Sequence, residues 1–126
     1  MRIKISFPGK GVMIRGALND TRTAQKIWEA LPQRTKGERW GDEFYFPLPI
    51  SAEPENQKSA VEKGDIGYWI PGKALCLFFG PTPISKEGKI IPASPVNVVG
   101  RMEGDFDSLK ILEDGDEVIV EKDEEN

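Results

Sequence analysis

Histidine is absent from this sequence, and cysteine occurs once, at Cys76. Without these side chains the chain cannot build a Cys/His zinc site, a Ser-His-Asp triad or a Cys-His nucleophile system. A single thiol also excludes an internal disulfide, so nothing in the composition indicates an oxidising compartment. These absences remove the commonest structural metal sites and hydrolytic nucleophiles, and we expect no bound cofactor.

An excess of positive charge and long apolar runs are missing as well. The chain has 17 Lys and Arg against 21 Asp and Glu, which gives a net charge of −4. Because no stripe of basic residues is present to contact phosphates, nucleic acid is not an expected partner. No stretch approaches the roughly 20 apolar residues of a membrane span, or the about 7–15 that a signal peptide needs near the start. We therefore expect a cytoplasmic protein that does not bind a membrane.

The length and apolar content are those of one folded domain. The chain has 126 residues, of which 38% are hydrophobic. A chain of this size buries roughly two-thirds of its unfolded surface without metal or disulfide support. We predict a single domain over residues 1–122 and a short, solvated charged tail over residues 123–126.

Strand patterns dominate the first part of the chain, and helical spacing occurs once. Residues 1–7 alternate between apolar and polar, and residues 12–18 return after a Pro-Gly-Lys-Gly turn, which predicts a β-hairpin. A helix is predicted by the i, i+3, i+4, i+7 spacing of Ala24, Ile27, Trp28 and Leu31. Residues 19–21 offer capping side chains at its start, and Pro32 ends it.

Short strands make up the rest of the prediction. After a polar link at residues 33–39, strands are expected at residues 40–46, 65–70, 74–79, 96–102 and 116–121, with a short strand or turn at 109–112. Residues 51–62 and 80–95 have prolines and no sustained periodicity, so they are predicted to be surface loops. Many short strands with one early helix favour a mostly-β barrel.

Several of these segments resemble cyclophilins. Residues 23–31, Thr-Ala-Gln-Lys-Ile-Trp-Glu-Ala-Leu, are similar to the helix that cyclophilins place after their second strand. Residues 64–80 resemble the family's strand pair that ends in Phe-Phe, and residues 97–102 resemble its Val-Val-Phe-Gly-Lys-Val strand. The motifs Trp-Gly-Asp-Glu at residues 40–43 and Gly-Pro-Thr-Pro at residues 80–83 resemble the small prokaryotic cyclophilin-like proteins of unassigned function more closely than they resemble cyclophilins themselves. The resemblance implies a closed eight-stranded β-barrel with one main helix after the first hairpin.

The residues with which cyclophilins isomerise X-Pro bonds are not matched in this chain. The resemblance implies an arginine on the strand at residues 40–46, where this sequence has Asp42 and Glu43. The family's active-site glutamine, tryptophan and histidine also have no counterpart, and Phe79 alone matches its hydrophobic proline pocket. The resemblance therefore favours a binding protein over a prolyl isomerase.

Glu43 and Tyr45 are the leading candidate site residues. Alternation along a strand places both side chains on one face and Asp42 on the other. If that face is a groove, Glu43 could bind a cation or an amine, or act as a general base. The alternative is an exposed carboxylate near Arg39.

Aromatic and polar residues of the neighbouring segments extend the candidate groove. Either Tyr68 and Phe78 or Trp69 and Phe79 can share a groove face, depending on strand register, and the alternative is that at least two of these four side chains belong to the ordinary barrel core. Asn97 interrupts an apolar run and needs hydrogen-bond partners if it is buried, either in the loop at residues 80–83 or on a ligand. Thr82 has the same status.

The sequence thus supports a cyclophilin-like protein with a groove for a small-molecule or peptide ligand. Its predicted ligand-binding residues are Glu43, Tyr45, Tyr68, Phe79, Thr82 and Asn97. The alternative function is enzymatic, either as a weak prolyl isomerase or through Glu43 as a general base. A role as an assembly subunit would need an exposed apolar patch, and neither this nor the oligomeric state follows from the sequence.

Overall fold

Nine β-strands and one α-helix form the described part of the chain, residues 1–123, in a computed structural model. The strands are β1 (Arg2–Phe7), β2 (Val12–Leu18), β3 (Gln33–Lys36), β4 (Glu38–Arg39), β5 (Glu43–Pro47), β6 (Asp65–Trp69), β7 (Ala74–Phe78), β8 (Asn97–Glu103) and β9 (Glu117–Lys122). The helix α1 spans Arg22–Ala30, and two short 3-10 helices span Ile70–Gly72 and Phe106–Ile111. Within residues 1–123, no helix has the length and apolar character needed to cross a membrane.

The strands form one sheet that curls into a nearly closed barrel. Their order is β3-β9-β1-β2-β8-β6-β7-β5-β4, so the two edge strands are consecutive in the chain and meet at Gly37. Gly37 donates its N–H to the Asp116 carbonyl at 3.0 Å and accepts the Gly115 N–H at 2.8 Å. A Cβ at this position would lie 2.6 Å from the Tyr45 carbonyl oxygen, so only glycine allows the closing segments to approach this closely.

The prediction of a mostly-β barrel with one main helix is confirmed, but the strand count is nine where eight were expected. The difference arises at residues 33–39, predicted to be a polar link, which form β3 and β4. β3 pairs with β9, and β4 pairs with β5. Both strands are polar on both faces because they close the barrel at its solvated seam, so they carry no alternating apolar signal.

The helix lies where its spacing predicts and packs on the barrel with its apolar stripe. The Thr21 side chain caps it by accepting the Ala24 N–H at 3.1 Å. Ala24 and Ile27 are fully buried. The helix ends at Ala30, before the predicted breaker Pro32.

Strands β5, β6 and β7 are buried on both faces, and this two-sided burial creates the candidate site. Their inner side chains join the main core, which includes Phe44, Phe46, Ile66, Tyr68, Leu75, Leu77 and Phe79. Their outer side chains form a second apolar cluster with loop residues, built from Val61, Cys76, Phe78 and Val96 and flanked by Tyr45 and Trp69. The barrel wall therefore separates an inner core from an outer apolar layer.

Both predicted aromatic pairings are wrong. In the observed register Tyr68 lies opposite Leu75, and Trp69 lies opposite Ala74. Tyr68 and Phe79 consequently share the inner core, whereas Trp69 and Phe78 belong to the outer cluster. A shift of one residue in register exchanges the two faces, and nothing local in the sequence fixes that register.

The remaining segments differ from the predictions in detail. Residues 109–112, predicted as a short strand or turn, belong mainly to the 3-10 helix Phe106–Ile111. The predicted loop at 51–62 is held to the barrel by a bridge between Lys58 and Val96. Asp123, the first residue of the predicted tail, accepts a hydrogen bond from Arg15 Nε at 2.9 Å, and residues 124–126 of that tail lie outside the described residues.

Candidate functional site

A pocket of about 270 Å³ opens on the outer face of β5, β6 and β7. Its lining consists of Trp40, Glu43, Tyr45, Trp69, Cys76, Pro92, Ala93 and Val96. Alternation along β5 directs Glu43 and Tyr45 to this face, and antiparallel pairing places Cys76 opposite Tyr45. The loop that precedes β8 supplies the facing wall.

Glu43 is the one ionisable carboxylate in this lining, and it is almost fully buried. Its exposed fraction is 5%, and its Oε1 atom has no hydrogen-bond partner among residues 1–123. Burial raises the pKa of Glu43 from 4.5 to about 7, and the neighbouring Cys76 thiol offsets part of that rise. Burial also raises the pKa of Cys76, with a further contribution from the charge of Glu43. A carboxylate that titrates near neutral pH thus lies in an apolar pocket.

The aromatic walls of the pocket are held in place by contacts at their polar ends. Tyr45 and Trp69 meet edge to face, with ring centroids 6.4 Å apart. The Tyr45 hydroxyl donates to Glu38 Oε2 at 3.2 Å, and Trp69 Nε1 donates to Ser94 Oγ at 2.7 Å. Burial, followed by hydrogen bonding to Glu38, raises the pKa of Tyr45. Both rings therefore present fixed apolar surfaces beside the carboxylate.

Glu43 is not the exposed carboxylate near Arg39 that the sequence allowed as an alternative, because it is buried and Arg39 does not neutralise it. The Arg39 guanidinium donates to Asp42 Oδ1 at 2.8 Å and to the carbonyls of Lys110 and Leu112 at 2.8 and 2.9 Å. It also lies over the Phe79 ring, 5.0 Å from the centroid. This arginine fastens the 3-10 helix Phe106–Ile111 to the turn that carries Trp40.

Thr82 lies beside the pocket and holds its facing wall. Its hydroxyl donates to the Ile91 carbonyl, and its backbone N–H donates to Ser85 Oγ at 2.9 Å. The same Ser85 oxygen accepts the Ile91 N–H at 3.0 Å. These bonds fix the start of the segment that brings Pro92 and Ala93 to the pocket.

Asn97 tethers a different loop from the one at residues 80–83. Its side chain, 1% exposed, accepts the Glu55 N–H at 3.0 Å and donates to the Glu53 carbonyl and to Thr23 Oγ1, each at 3.0 Å. Glu55 in turn accepts the N–H groups of Arg22 and Thr23 at 3.0 Å, and these bonds lower its pKa. The amide thus locks the loop at residues 53–55 to the start of α1.

Comparison with known proteins identifies the family. The sequence matches the family model described as Cyclophilin-like over residues 1–121. The chain belongs to the cyclophilin-like family. Among curated proteins, no sequence matches this cyclophilin-like chain.

Solved structures share the fold of this cyclophilin-like protein, among them the following two. One is the solution structure of the hypothetical protein AF2241 from Archaeoglobus fulgidus, whose sequence is 45% identical to this one. The alignment covers 97% of this chain and 94% of that chain, with a TM-score of 0.79. McbB, solved in complex with tryptophan, is 17% identical, covers 98% of this chain and 45% of that chain, and superposes with a TM-score of 0.77. At that identity the likeness to McbB concerns the fold alone.

The six residues proposed from the sequence fall into three places in the cyclophilin-like barrel. Glu43 and Tyr45 line the outer pocket. Tyr68 and Phe79 lie in the inner core, where the Tyr68 hydroxyl donates to the Ile50 carbonyl at 2.7 Å. Thr82 and Asn97 hold loops and are absent from the pocket lining.

Six further residues complete the pocket and are absent from the predicted set, although Trp69 is one of the aromatic residues that the open register allows in the groove. They are Trp40, Trp69, Cys76, Pro92, Ala93 and Val96. The alternation that groups Glu43 with Tyr45 would also select Cys76 and Trp69, but only once the pairing of β5 with β7 and of β7 with β6 is known. The two loop residues Pro92 and Ala93 have no periodic signal at all.

Proposed function

We propose that this cyclophilin-like protein binds a small ligand in the outer pocket, with Glu43 as the polar anchor. The observation that carries the proposal is the buried Oε1 atom of Glu43, which lacks a partner within the described chain. Leaving such a group unpaired costs about 1–3 kcal/mol, and a ligand that donates a hydrogen bond would recover part of it. Buried polar groups with only a structural role are rarely left without a hydrogen-bond partner, whereas such unpaired groups are common in binding sites.

The size and lining of the pocket favour a compact ligand with an apolar body. The volume of about 270 Å³ is close to the lower end of the range for small-molecule sites, about 300 Å³. It would admit a single ring system or one side chain of a peptide. Because McbB has the same fold and was solved with tryptophan, L-tryptophan is a reasonable first probe.

A pocket-filling variant tests the location of the site. Ala93 lines the pocket and is exposed, so Ala93→Trp should fill part of the pocket without disturbing the barrel. Ala60→Trp, at an exposed position outside this pocket, is the matched control. We expect titration calorimetry with L-tryptophan, 2-phenylethanol and 2-phenylethylamine at millimolar concentrations to detect saturable binding by at least one probe. Binding should be lost in Ala93→Trp and retained in Ala60→Trp.

Two results would contradict this proposal. If none of the three probes binds saturably, the pocket is not a small-ligand site of the kind described. If binding survives Ala93→Trp unchanged, the ligand binds elsewhere on the protein.

A catalytic role is the second candidate, and the pKa of Glu43 favours it. A general base works best when its pKa is near the operating pH, and the value of about 7 meets that condition. Prolyl isomerisation fits less well, since the eight lining residues include no arginine and place a carboxylate beside the substrate face. The test is an isomerisation assay with an X-Pro peptide. A rate above the uncatalysed one for the wild type, but not for Glu43→Gln, would favour a prolyl isomerase that depends on Glu43. Equal rates with and without protein would leave isomerase activity unsupported.

A further inference from the structure

We infer that the ligand of the outer pocket is an organic ammonium ion, a protonated amine whose apolar body rests against the aromatic walls. This inference rests on the proposed function and names the ligand class of the same site. It follows from the distribution of charge around Glu43 and from the chemistry of the pocket walls.

The pocket holds a buried carboxylate without a cation. Of the eight lining residues, Glu43 is the only one that carries a formal charge near neutral pH, because the pKa values of Tyr45 and Cys76 are both raised. The nearby Arg39 is committed to Asp42 and to two backbone carbonyls. A cation supplied by the ligand would therefore be the counter-charge that this part of the chain does not provide.

Two further carboxylates strengthen the negative potential at the pocket. Glu38 and Asp114, together with Glu43, act electrostatically on Tyr45, so all three lie within range of that ring. Glu38 accepts the Tyr45 hydroxyl, and Asp114 accepts the Arg39 N–H at 2.8 Å. An anionic ligand would meet repulsion from this set, whereas a cationic ligand would be attracted.

The walls suit an ammonium group as well as an apolar body. Trp40, Tyr45 and Trp69 contribute three aromatic side chains around the carboxylate. Ring faces attract cations, by about 0.5–1 kcal/mol at exposed sites and about 2 kcal/mol when desolvated. An ammonium ion can donate to Glu43 and contact the rings at once, since it has several donors and no acceptor.

The main alternative is a neutral ligand that accepts a hydrogen bond from the protonated Glu43 carboxyl. The two kinds of ligand require opposite protonation states of Glu43. An amine needs the carboxylate and should bind more weakly as the pH falls through about 7. A neutral acceptor needs the acid and should bind more weakly as the pH rises.

The experiment compares 2-phenylethylamine with 2-phenylethanol, which differ in the group that would face Glu43. At pH values above the pKa of Glu43, we expect calorimetry to give at least about tenfold tighter binding of the amine, which corresponds to about 1.4 kcal/mol. Glu43→Gln should abolish this preference while leaving the affinity of the alcohol within about threefold. Glu29→Gln removes the same charge from an exposed position on α1 and should leave the preference unchanged.

The outcomes separate this inference from the proposed function. If both probes bind in the pocket with equal affinity, or if Glu43→Gln retains the amine preference, the ligand class is wrong and the pocket still stands as a binding site. If neither probe binds and L-tryptophan also fails, the proposed function itself is overturned. Tighter binding of the amine at low pH than at high pH would also contradict the inference.

Discussion

Replacing Glu43 with glutamine should shift the difference in stability between the two proteins in favour of the variant as the pH rises. The pKa of this carboxyl is raised by burial from 4.5 to about 7, so the folded state holds a proton that the unfolded chain releases. Between these two values the native state binds more protons, and its stability falls as the pH rises. Below 4.5 the residue is neutral in both states, and its contribution is fully present.

The size of the effect follows from the shift. One pKa unit corresponds to about 1.4 kcal/mol, so ionisation of Glu43 lowers the free energy of unfolding by up to about 3 kcal/mol. Glutamine has nearly the same shape and does not ionise, so it escapes this loss. Any cost of burying its amide applies at both pH values and cancels in the comparison.

Urea unfolding of the wild type and Glu43→Gln at about pH 4.5 and about pH 8 measures this quantity. We expect the difference in unfolding free energy between the two proteins to move by about 3 kcal/mol in favour of the variant from the lower to the higher pH. Glu55, Glu103, Asp107 and Glu117 have lowered pKa values, so they weaken the fold as the pH falls, but they are present in both proteins. Glu29→Gln provides the surface control. A difference independent of pH would refute the argument that Glu43 is buried and uncompensated.

Two further predictions concern the frame around the site. Asn97→Ala should lower the free energy of unfolding by about 2 kcal/mol, because it leaves buried hydrogen-bond partners unpaired. Limited proteolysis should then cut the loop at residues 53–55 sooner than in the wild type. Unchanged proteolysis would show that the Asn97 amide does not hold this loop. Gly16→Ala should lower the free energy of unfolding in urea by about 1–3 kcal/mol, since a Cβ there would lie 2.6 Å from the Arg101 carbonyl oxygen. The control is Gly9→Ala, where nothing lies within 4 Å of the added carbon. Equal stabilities of the two variants would contradict the close approach of the strands at Gly16.

The elements with a local signal could be predicted from the sequence. The hairpin of β1 and β2 has a simple alternation, and α1 has a capping residue, an apolar stripe and a proline after it. Each of these patterns is contained within a few residues of chain. The family resemblance then placed the elements into a barrel, which the structure confirms apart from the seam at β3 and β4.

The pocket could be predicted only in part, because it depends on contacts distant in sequence. Glu43 and Tyr45 share a strand, so alternation alone groups them. The resemblance predicts Phe79 in the groove, and the open register allows Tyr68 there. Both lie in the inner core, because β6 and β7 are buried on both faces and such strands do not indicate which face is the interior. Glu43 shares the pocket with Pro92, which lies about fifty residues further along the chain and reaches the pocket only through tertiary packing.

The division of the barrel wall into two faces has a consequence for how this protein can change over evolutionary time. Along β5, Phe44 and Phe46 serve the interior, while Glu43 and Tyr45 serve the pocket. Because these positions alternate along the strand, a substitution on the outer side can alter the lining of the pocket without repacking the interior. Chains with this architecture can therefore diverge in the pocket while their shared scaffold is conserved.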